Sequence, residues 1–203
     1  SVLNYFKSII SNYDAVLLSD YGKGLLTYDL TQSIIACSNS NGKKVLVDPK
    51  GTNYKKYNGA FLLTPNKKEA IEATNINIID KSSLSRAILE LKSLCGLEVS
   101  LITLSEDGIA VYDHELRLHP TTTKEIFDVT GAGDTVLASL GFAIASGLNI
   151  DEAVKFSNLA AGVVIGKVGS ATASINEIME YESSINKSSS DKHIKTKSQL
   201  KLL

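Results

Sequence analysis

The sequence has few of the residues that build metal centres and no stretch long enough to cross a membrane. Its two cysteines, Cys37 and Cys95, lie far apart and lack the spacing of zinc ligands. None of the three histidines belongs to an HxxH or HExxH pattern. No apolar run reaches about 18 residues, the minimum for a membrane-spanning helix. These absences argue against a zinc site and a membrane span, and they favour buried, reduced cysteines.

The sequence also lacks an excess of charge of either sign. Its 21 basic and 22 acidic residues give a net charge of −1, so nothing in the charge favours nucleic acid or an anionic membrane as a partner. The N-terminus lacks the basic and apolar regions of a signal peptide. Together with the unpaired cysteines, these features predict a cytoplasmic protein.

The length of 203 residues is sufficient for one globular domain, and 43% hydrophobic with 21% charged residues is an ordinary composition for one. Residues 1–11 have the periodicity of an amphipathic helix and contain no initiating Met, so we expect the chain to begin inside a larger protein. The Ser- and Lys-rich residues 186–203 predict a flexible tail or interdomain linker, which leaves 1–185 as the folded part.

Short apolar runs separated by helical segments predict an α/β fold with a mostly parallel central sheet. The first third of the chain has three such runs, which end at polar turn residues and are typical of buried parallel strands: 15–18, 45–47 and 61–63. A helix at 29–41 between the first two predicts a right-handed βαβ crossover. The remaining predicted elements are a strand at 98–104, a hairpin at 109–112 and 116–119, and helices at 83–94, 135–146, 151–165 and 176–182.

Polar side chains follow the first three predicted strands. Asp20 follows the first strand, Asp48 and Lys50 follow the second, and Asn66 and Glu69 follow the third. Ligands of open α/β sheets bind outside the carboxyl ends of the strands. We therefore expect these five side chains to face one crevice, beside a glycine-rich turn at 131–133.

That turn belongs to the segment 127–135, Phe-Asp-Val-Thr-Gly-Ala-Gly-Asp-Thr, which precedes a long run of apolar and small residues. Glycines let a ligand approach the backbone closely. If a helix begins here, its first N–H groups have no acceptor in the helix and can bind a phosphate oxygen. Asp134 beside them can accept the proton of an attacking hydroxyl, so the pattern predicts phosphoryl transfer to an alcohol. The alternative is an ordinary capped helix.

This segment resembles the signature of the ribokinase-like (PfkB) carbohydrate kinases. The resemblance implies a three-layer αβα sandwich that uses ATP and Mg²⁺. It implies that Asp134 is the catalytic base and that the N–H groups of Gly131, Ala132 and Gly133 form the anion hole. It also implies that the N-terminal part of the family domain, with its sugar-binding region and β-strand lid, is absent here, so the chain alone need not be active.

A second motif, Asn66-Lys67-Lys68-Glu69, follows the third strand. By itself it is typical of a helix start at which Asn66 is the cap and Glu69 completes a capping box. Amide and carboxylate oxygens can also hold waters around Mg²⁺. The motif resembles a second signature of the same kinases, which implies that it places the nucleotide phosphates and the metal, with Glu69 acting through water. The two interpretations are compatible.

Three further segments each have a structural and a functional interpretation. Residues 103–108 predict a β-turn, whereas the resemblance implies that Ser105 and Gly108 contact the nucleotide, with Ser105 standing where the family has glycine. The small residues around Asn158 favour close helix packing, whereas the resemblance places Asn158 near the adenine. The Gly- and Ser-rich residues 167–174 predict turns. For that loop the resemblance implies a monovalent cation such as K⁺, with Asp128, Thr130 and Ser174 as candidate ligands.

The segments 19–24, 47–51 and 63–66 narrow the resemblance to the heptose 7-phosphate kinase domain of ADP-heptose synthases. This implies ATP-dependent phosphorylation of the C1 hydroxyl of D-glycero-β-D-manno-heptose 7-phosphate to the 1,7-bisphosphate, a step toward the heptose of the lipopolysaccharide core. Lys23 and Lys50 are candidates for binding a sugar or nucleotide phosphate, and solvated surface lysines are the alternative for both.

The resemblance also implies partners beyond ATP and the sugar phosphate. A C-terminal adenylyltransferase domain is expected in the parent protein, and a homodimer is compatible with the sequence. The alternative functions are another ribokinase-like sugar or nucleoside kinase, or a nucleotide-binding fragment that is inactive by itself.

Overall fold

The computed structural model describes residues 2–121 and 130–199, with side chains described up to residue 187. The described part contains six strands: β1 (Ala15–Ser19), β2 (Lys44–Asp48), β3 (Leu62–Leu63), β4 (Ser100–Thr103), β5 (Ile109–Tyr112) and β6 (Leu116–His119). Its helices are α1 (Val2–Ile9), α2 (Tyr28–Ser40), α3 (Lys67–Thr74), α4 (Lys81–Cys95), α5 (Ala132–Ala145), α6 (Ile150–Ile165) and α7 (Ile175–Gln199). Each predicted strand is present, with its ends shifted by a few residues at most.

The first four strands run in parallel, as the apolar runs predicted. β1 pairs with β2, and β2 pairs with β3, in parallel register. β4 lies beside β3 in parallel orientation. Two hydrogen bonds join the segments: the Thr103 N–H donates to the Pro65 carbonyl at 2.9 Å, and the Val99 N–H donates to the Phe61 carbonyl at 3.1 Å. β5 and β6 add an antiparallel hairpin. The carboxyl ends of β1, β2 and β3 therefore lie along one edge of the sheet.

Helices cover both faces of the sheet and produce three layers. Successive side chains of a strand point to opposite faces, so Val45 and Val47 of β2 join one apolar cluster with α2 and α4, while Leu46 joins a second cluster with α5 and α6. All three are fully buried, and burial of each stabilises the fold by about 1.5–3 kcal/mol. The predicted α/β sandwich is confirmed.

Helix α5 approaches the sheet closely because of a glycine. A Cβ added to Gly141 would lie 2.5 Å from a methyl carbon of Leu17 on β1, so only glycine allows this separation without a shift of Leu17. The N-terminus of α5 thereby lies at the carboxyl end of β1. Among the described helices, none is long and apolar enough to cross a bilayer.

Two elements differ from the prediction. Helix α7 begins at Ile175 and continues to Gln199, past residue 182 where the last predicted helix ends, and the flexible tail or interdomain linker over 186–203 stays a prediction. Residues 175–199 contain neither Gly nor Pro, so they lack the residues that most strongly stop a helix. Helix α5 begins at Ala132, three residues earlier than predicted, which places Asp134 inside its first turn.

Candidate active site

The polar residues that follow β2 and β3 line one crevice, as the sequence predicted. Asp48 and Lys50 come from the end of β2, and Asn66 and Glu69 come from the start of α3. Gly133, in the first turn of α5, lies in the same crevice of about 210 Å³. The lining is completed by Thr64, Thr103 and Val136.

The start of α5 has no side-chain cap. Its N-cap is Gly131, in the left-handed conformation with φ 80°, and glycine has no side chain that could accept a hydrogen bond. The Thr135 N–H is the first to reach a helical acceptor, the Gly131 carbonyl at 2.9 Å. The N–H groups of Ala132 and Gly133 precede that bond and have no acceptor in the helix. Such a helix start can bind an anion.

A second groove, of about 390 Å³, lies on the other side of Gly133. It is lined by Ser105, Gly108, Asn158 and Ala132, so the structure brings the predicted nucleotide contacts together. Ser105 is in the left-handed region, with φ 54°, where glycine would be unstrained. This conformation suits the glycine that the resemblance implies at this position, and Ser105 adopts it at a modest energetic cost.

Two of these residues are also held by the fold. A Cβ on Gly108, whose φ is 91°, would lie 2.0 Å from the His119 carbonyl oxygen. The Asn158 amide Nδ2 donates to the same carbonyl at 3.0 Å. Gly108 and Asn158 are therefore both placed against the His119 carbonyl at the end of β6.

Asp134 receives hydrogen bonds from two hydroxyl groups at the end of β1. The Ser19 hydroxyl lies 3.3 Å from Oδ1, and the Tyr21 hydroxyl lies 3.1 Å from Oδ1 and 3.0 Å from Oδ2. Asp134 itself is exposed. Tyr21 was not predicted as a site residue, although it belongs to the polar segment 19–24 that follows the first strand.

Asn66 and Glu69 form the predicted capping box. The Asn66 Oδ1 accepts from the Glu69 N–H at 2.9 Å, and Glu69 Oε2 accepts from the Asn66 N–H at 3.0 Å. The other carboxylate oxygen of Glu69 accepts from the Lys50 ammonium at 2.8 Å. This hydrogen bond, followed by the charge of Glu69, raises the pKa of Lys50. Because the Lys50 side chain is 55% exposed, it can turn from Glu69 toward a ligand.

The negative charge of the Asp48 carboxylate is not fully compensated by nearby positive charge. Burial is the main cause that raises its pKa from 3.8 to about 6, and the charges of Glu69 and Asp134 raise it further. The Thr64 hydroxyl, at 3.3 Å from Oδ1, and the charge of Lys50 oppose this increase only in part. A bound cation would offset the same excess of negative charge.

The prediction that Asp20 faces the crevice is wrong. Its side chain is buried, where it forms an ion pair with Lys56 and accepts hydrogen bonds from the Tyr57 hydroxyl and the Gly22 N–H, both at 2.7 Å. Burial alone would raise the pKa of Asp20, but these hydrogen bonds outweigh it and lower the pKa. Lys56 and Tyr57 lie on a short 3₁₀ helix, Tyr54–Tyr57, that no motif indicated.

The other predicted residues lie apart from these two cavities. Lys23, Lys67 and Lys68 are exposed and line neither of them. Ser174 caps α7, because its hydroxyl oxygen accepts from the Glu177 N–H at 3.3 Å while its own N–H donates to Glu177 Oε2 at 2.8 Å. Asp128 lies outside the described residues, so the cation site that includes Thr130 stays a prediction.

A third cavity, of about 590 Å³, adjoins Asp134 on the side of α6 and α7. Its walls are mainly apolar and include Phe142, Phe156 and Ile178. It lacks the cluster of charged and amide side chains found in the crevice. Within 2–121 and 130–199, no group of three or more His, Cys, Asp or Glu side chains is arranged to hold a metal ion.

Comparison with known proteins adds a family to this geometry. Residues 2–177 match the model of the pfkB family carbohydrate kinases. The Bifunctional protein HldE of Sulfurimonas denitrificans is 62% identical over 194 residues, which are 96% of this chain and 41% of that protein. The protein of the same name from Aliarcobacter butzleri is 60% identical over 195 residues, again 96% of this chain and 41% of the relative. The chain thus spans about two fifths of the length of these relatives.

Solved structures with low sequence identity share the fold. The Arabidopsis thaliana ribokinase complexed with ribose and ATP has a TM-score of 0.78 at 20% identity, covering 88% of this chain and 58% of that one. The Escherichia coli phosphofructokinase-2 in complex with potassium has a TM-score of 0.77 at 15% identity, covering 91% and 62%. These matches confirm the predicted ribokinase-like architecture.

Proposed function

Since the chain belongs to the pfkB family of carbohydrate kinases, we propose that it supplies the nucleotide site and the catalytic base of a heptose 7-phosphate kinase. The observation that carries this proposal is the uncapped start of α5, which lies between two cavities and holds Asp134 in its first turn. The substrate class follows from the segments 19–24, 47–51 and 63–66, which resemble the kinase domain of ADP-heptose synthases.

The reaction is an in-line transfer of the γ-phosphoryl group of ATP to the C1 hydroxyl of D-glycero-β-D-manno-heptose 7-phosphate. ATP occupies the groove of Ser105, Gly108 and Asn158, with its phosphates at Gly133. Asp134 accepts the hydroxyl proton as the sugar oxygen bonds to phosphorus and the bond to ADP breaks. The N–H groups at 131–133 stabilise the charge on the transferred group.

Mg²⁺ fits the crevice as a water-linked ion. Mg²⁺ prefers oxygen ligands and keeps several waters, and both oxygens of Glu69 already accept hydrogen bonds. Asp48 supplies a second carboxylate, whose pKa is raised first by burial and then by the charges of Glu69 and Asp134, which a cation would offset. When bound, Mg²⁺ neutralises part of the phosphate charge. We keep K⁺ at Asp128, Thr130 and Ser174 as a proposal, since the related phosphofructokinase-2 was solved with potassium.

Lys50 binds a phosphate in this proposal. In the structure its ammonium is paired with Glu69 at 2.8 Å, but more than half of its side chain is exposed. A phosphate that enters the crevice offers a more highly charged partner at little cost in lost packing. Lys23 lies outside the crevice and keeps a role only if the sugar phosphate extends to the turn at 22–24.

We further propose that the parent protein contains an adenylyltransferase domain, acts in the cytoplasm and can form a homodimer. Two observations support a further domain. The relatives are named bifunctional proteins, and this chain covers only 41% of their length.

Calorimetric titration of this chain with ATP tests the nucleotide site directly. We expect saturable binding that strengthens when Mg²⁺ is present, because the two cavities and the helix start are formed by the chain itself. Binding that is absent with and without Mg²⁺ would contradict the assignment of the groove at Ser105 and Gly108.

Substitution of the base tests the reaction in the full-length gene product. Asp134→Asn should lower turnover at least about 10²-fold, because the amide cannot accept the proton. Asp29→Asn is the matched control, since Asp29 is an exposed carboxylate in the first turn of α2.

A panel of heptose 7-phosphate, ribose, fructose phosphate and a nucleoside identifies the acceptor. Faster turnover of another member of the panel would replace the heptose assignment.

A further inference from the structure

We propose that Tyr21 is a positioning residue for the Asp134 carboxylate, and that the buried cluster of Asp20, Lys56 and Tyr57 holds the turn that carries Tyr21. This inference rests on the proposed role of Asp134 as the base. It assigns a function to a tyrosine that was not predicted as a site residue, and to an ion pair whose Asp20 was predicted to face the crevice instead.

The Tyr21 hydroxyl is placed symmetrically against the base. It lies 3.1 Å from one carboxylate oxygen of Asp134 and 3.0 Å from the other. The side chain is 64% exposed, so the described structure gives its ring little packing that could hold it in this orientation. An exposed aromatic ring whose hydroxyl contacts both oxygens of the base is better explained by a role in the site than by packing in the core.

The turn that carries Tyr21 is fixed from the side of the core. The Gly22 N–H donates to Asp20 Oδ1 at 2.7 Å, which closes the turn around Tyr21. Asp20 Oδ2 is held by the Lys56 ammonium and by the Tyr57 hydroxyl. Gly22 has φ 67°, a conformation that favours glycine at this point of the turn.

The same cluster reaches the other side of the crevice. The Tyr57 hydroxyl accepts from the Lys50 N–H at 3.0 Å while it donates to Asp20. One buried network thus fixes both the backbone that presents Tyr21 and the backbone that presents Lys50. Because Asp20 is buried and the Lys56 side chain is partly buried, separating the pair would leave the Asp20 charge without its counter-ion in the interior.

Tyr21 and an acceptor hydroxyl can be bound to Asp134 at the same time. An ionised carboxylate has about four lone-pair sites on its two oxygens. The Tyr21 hydroxyl contacts both oxygens and the Ser19 hydroxyl contacts Oδ1, so they restrict rotation of the carboxylate and still leave a lone-pair site on Oδ2 for the sugar. A general base must lie within hydrogen-bond reach of the proton that it accepts, so loss of this restraint should slow the chemical step.

The test is Tyr21→Phe in the full-length gene product, with Tyr28→Phe as control. Phenylalanine keeps the exposed ring and removes only the hydroxyl, while Tyr28 is a comparably exposed tyrosine at the start of α2. We expect kcat to fall about tenfold for Tyr21→Phe with the KM for ATP unchanged, since the nucleotide groove is untouched. In an Asp134→Asn background the same change should alter the rate less than twofold, because the restrained group is no longer a base.

Two results would overturn the positioning role. One is a kcat of Tyr21→Phe within twofold of the Tyr28→Phe control. The other is an equal loss in the wild-type and Asp134→Asn backgrounds, which would mean that Tyr21 acts independently of the base.

The turnover of the wild-type protein distinguishes failure of this inference from failure of the proposed function. A wild-type protein that phosphorylates no acceptor of the panel contradicts the kinase proposal, whereas normal wild-type turnover with a normal Tyr21→Phe variant contradicts only the inference.

Discussion

Two helices begin at the same edge of the sheet and border the same crevice, yet their first turns differ. Helix α3 begins with a complete capping box, in which Asn66 and Glu69 satisfy each other's N–H groups. Helix α5 begins at Ala132, and its N-cap, Gly131, offers no side-chain acceptor. Helices α2, α4 and α6 resemble α3, since each has a side chain that accepts from its first turn.

The difference separates a helix start that serves the fold from one that serves a ligand. At α3 the hydrogen bonds are complete without a ligand, so its contribution to binding comes from the outer surface of Glu69 and from Lys50. At α5 the residues of the uncapped helix start line the cavities, and a phosphate can supply the acceptor that a glycine N-cap lacks. The predictions below test this division, from the largest expected effect to the smallest.

A methyl group at Gly133 should weaken nucleotide binding without harming the fold. Nothing lies within 4 Å of a Cβ built there, and Gly133 lines both the crevice and the nucleotide groove. We expect Gly133→Ala to weaken ATP binding by the chain at least about tenfold, because the methyl occupies the phosphate position. The free energy of unfolding should stay equal or rise by up to about 1 kcal/mol, since alanine favours the helix.

Gly108 in the same groove provides the contrast. Its φ of 91° and the backbone oxygen of His119, 2.0 Å from an added Cβ, leave no room for alanine. Gly108→Ala should therefore lower the free energy of unfolding by about 2–4 kcal/mol. Chemical denaturation measures the free energy of unfolding of both variants, and calorimetry measures their affinity for ATP. A Gly133→Ala chain that binds ATP normally would show that α5 does not receive the phosphates.

Asp48 should destabilise the unliganded protein at neutral pH. Its pKa rises from 3.8 to about 6 on folding, so the folded state holds the proton more tightly. This favours folding below about pH 4, and the contribution is lost as the pH rises from about 4 to 6. At pH 7.5, Asp48→Asn should raise the free energy of unfolding by about 1–2 kcal/mol, below the roughly 3 kcal/mol that the whole shift would give.

The pH dependence is the diagnostic part of this prediction. Near pH 3 the Asp48→Asn and wild-type chains should be about equally stable, because Asp48 is then largely protonated in both the folded and unfolded states. Denaturation curves near pH 3 and at pH 7.5 measure the difference, with Asp14→Asn as a control at an exposed carboxylate outside the crevice. A gain in stability that is the same at both pH values would contradict the explanation by charge.

The parts of this molecule that could be predicted from sequence depend on local patterns. The apolar runs of β1 to β3 are continuous and end at polar residues, so both the strands and their common edge were predicted correctly. The capping box at Asn66 and Glu69 is a four-residue pattern and was confirmed. The convergence of Asp48, Lys50 and Asn66 followed from the geometry of parallel strands alone.

The parts that could not be predicted depend on contacts between distant segments. Asp20 looked like a crevice residue because it ends a strand, but its partner Lys56 lies 36 residues later on a 3₁₀ helix without a motif. The bond between Tyr21 and Asp134 joins residues 113 positions apart. No periodicity indicates which way a side chain in a turn will point, so these two contacts required the structure.

Removal of the cap from α3 should have the smallest effect and the clearest control. Asn66→Ala deletes the acceptor for the Glu69 N–H, which should lower the free energy of unfolding by about 1 kcal/mol. Asn149→Ala is matched, because Asn149 and Glu152 form the same capping box on α6, away from the crevice. Both variants should lose similar stability in denaturation experiments. Only Asn66→Ala should also weaken Mg²⁺-dependent ATP binding, by a few fold, because Glu69 is then less firmly placed beside Lys50. Equal ATP affinity of the two variants would mean that the capping box at α3 serves the fold alone.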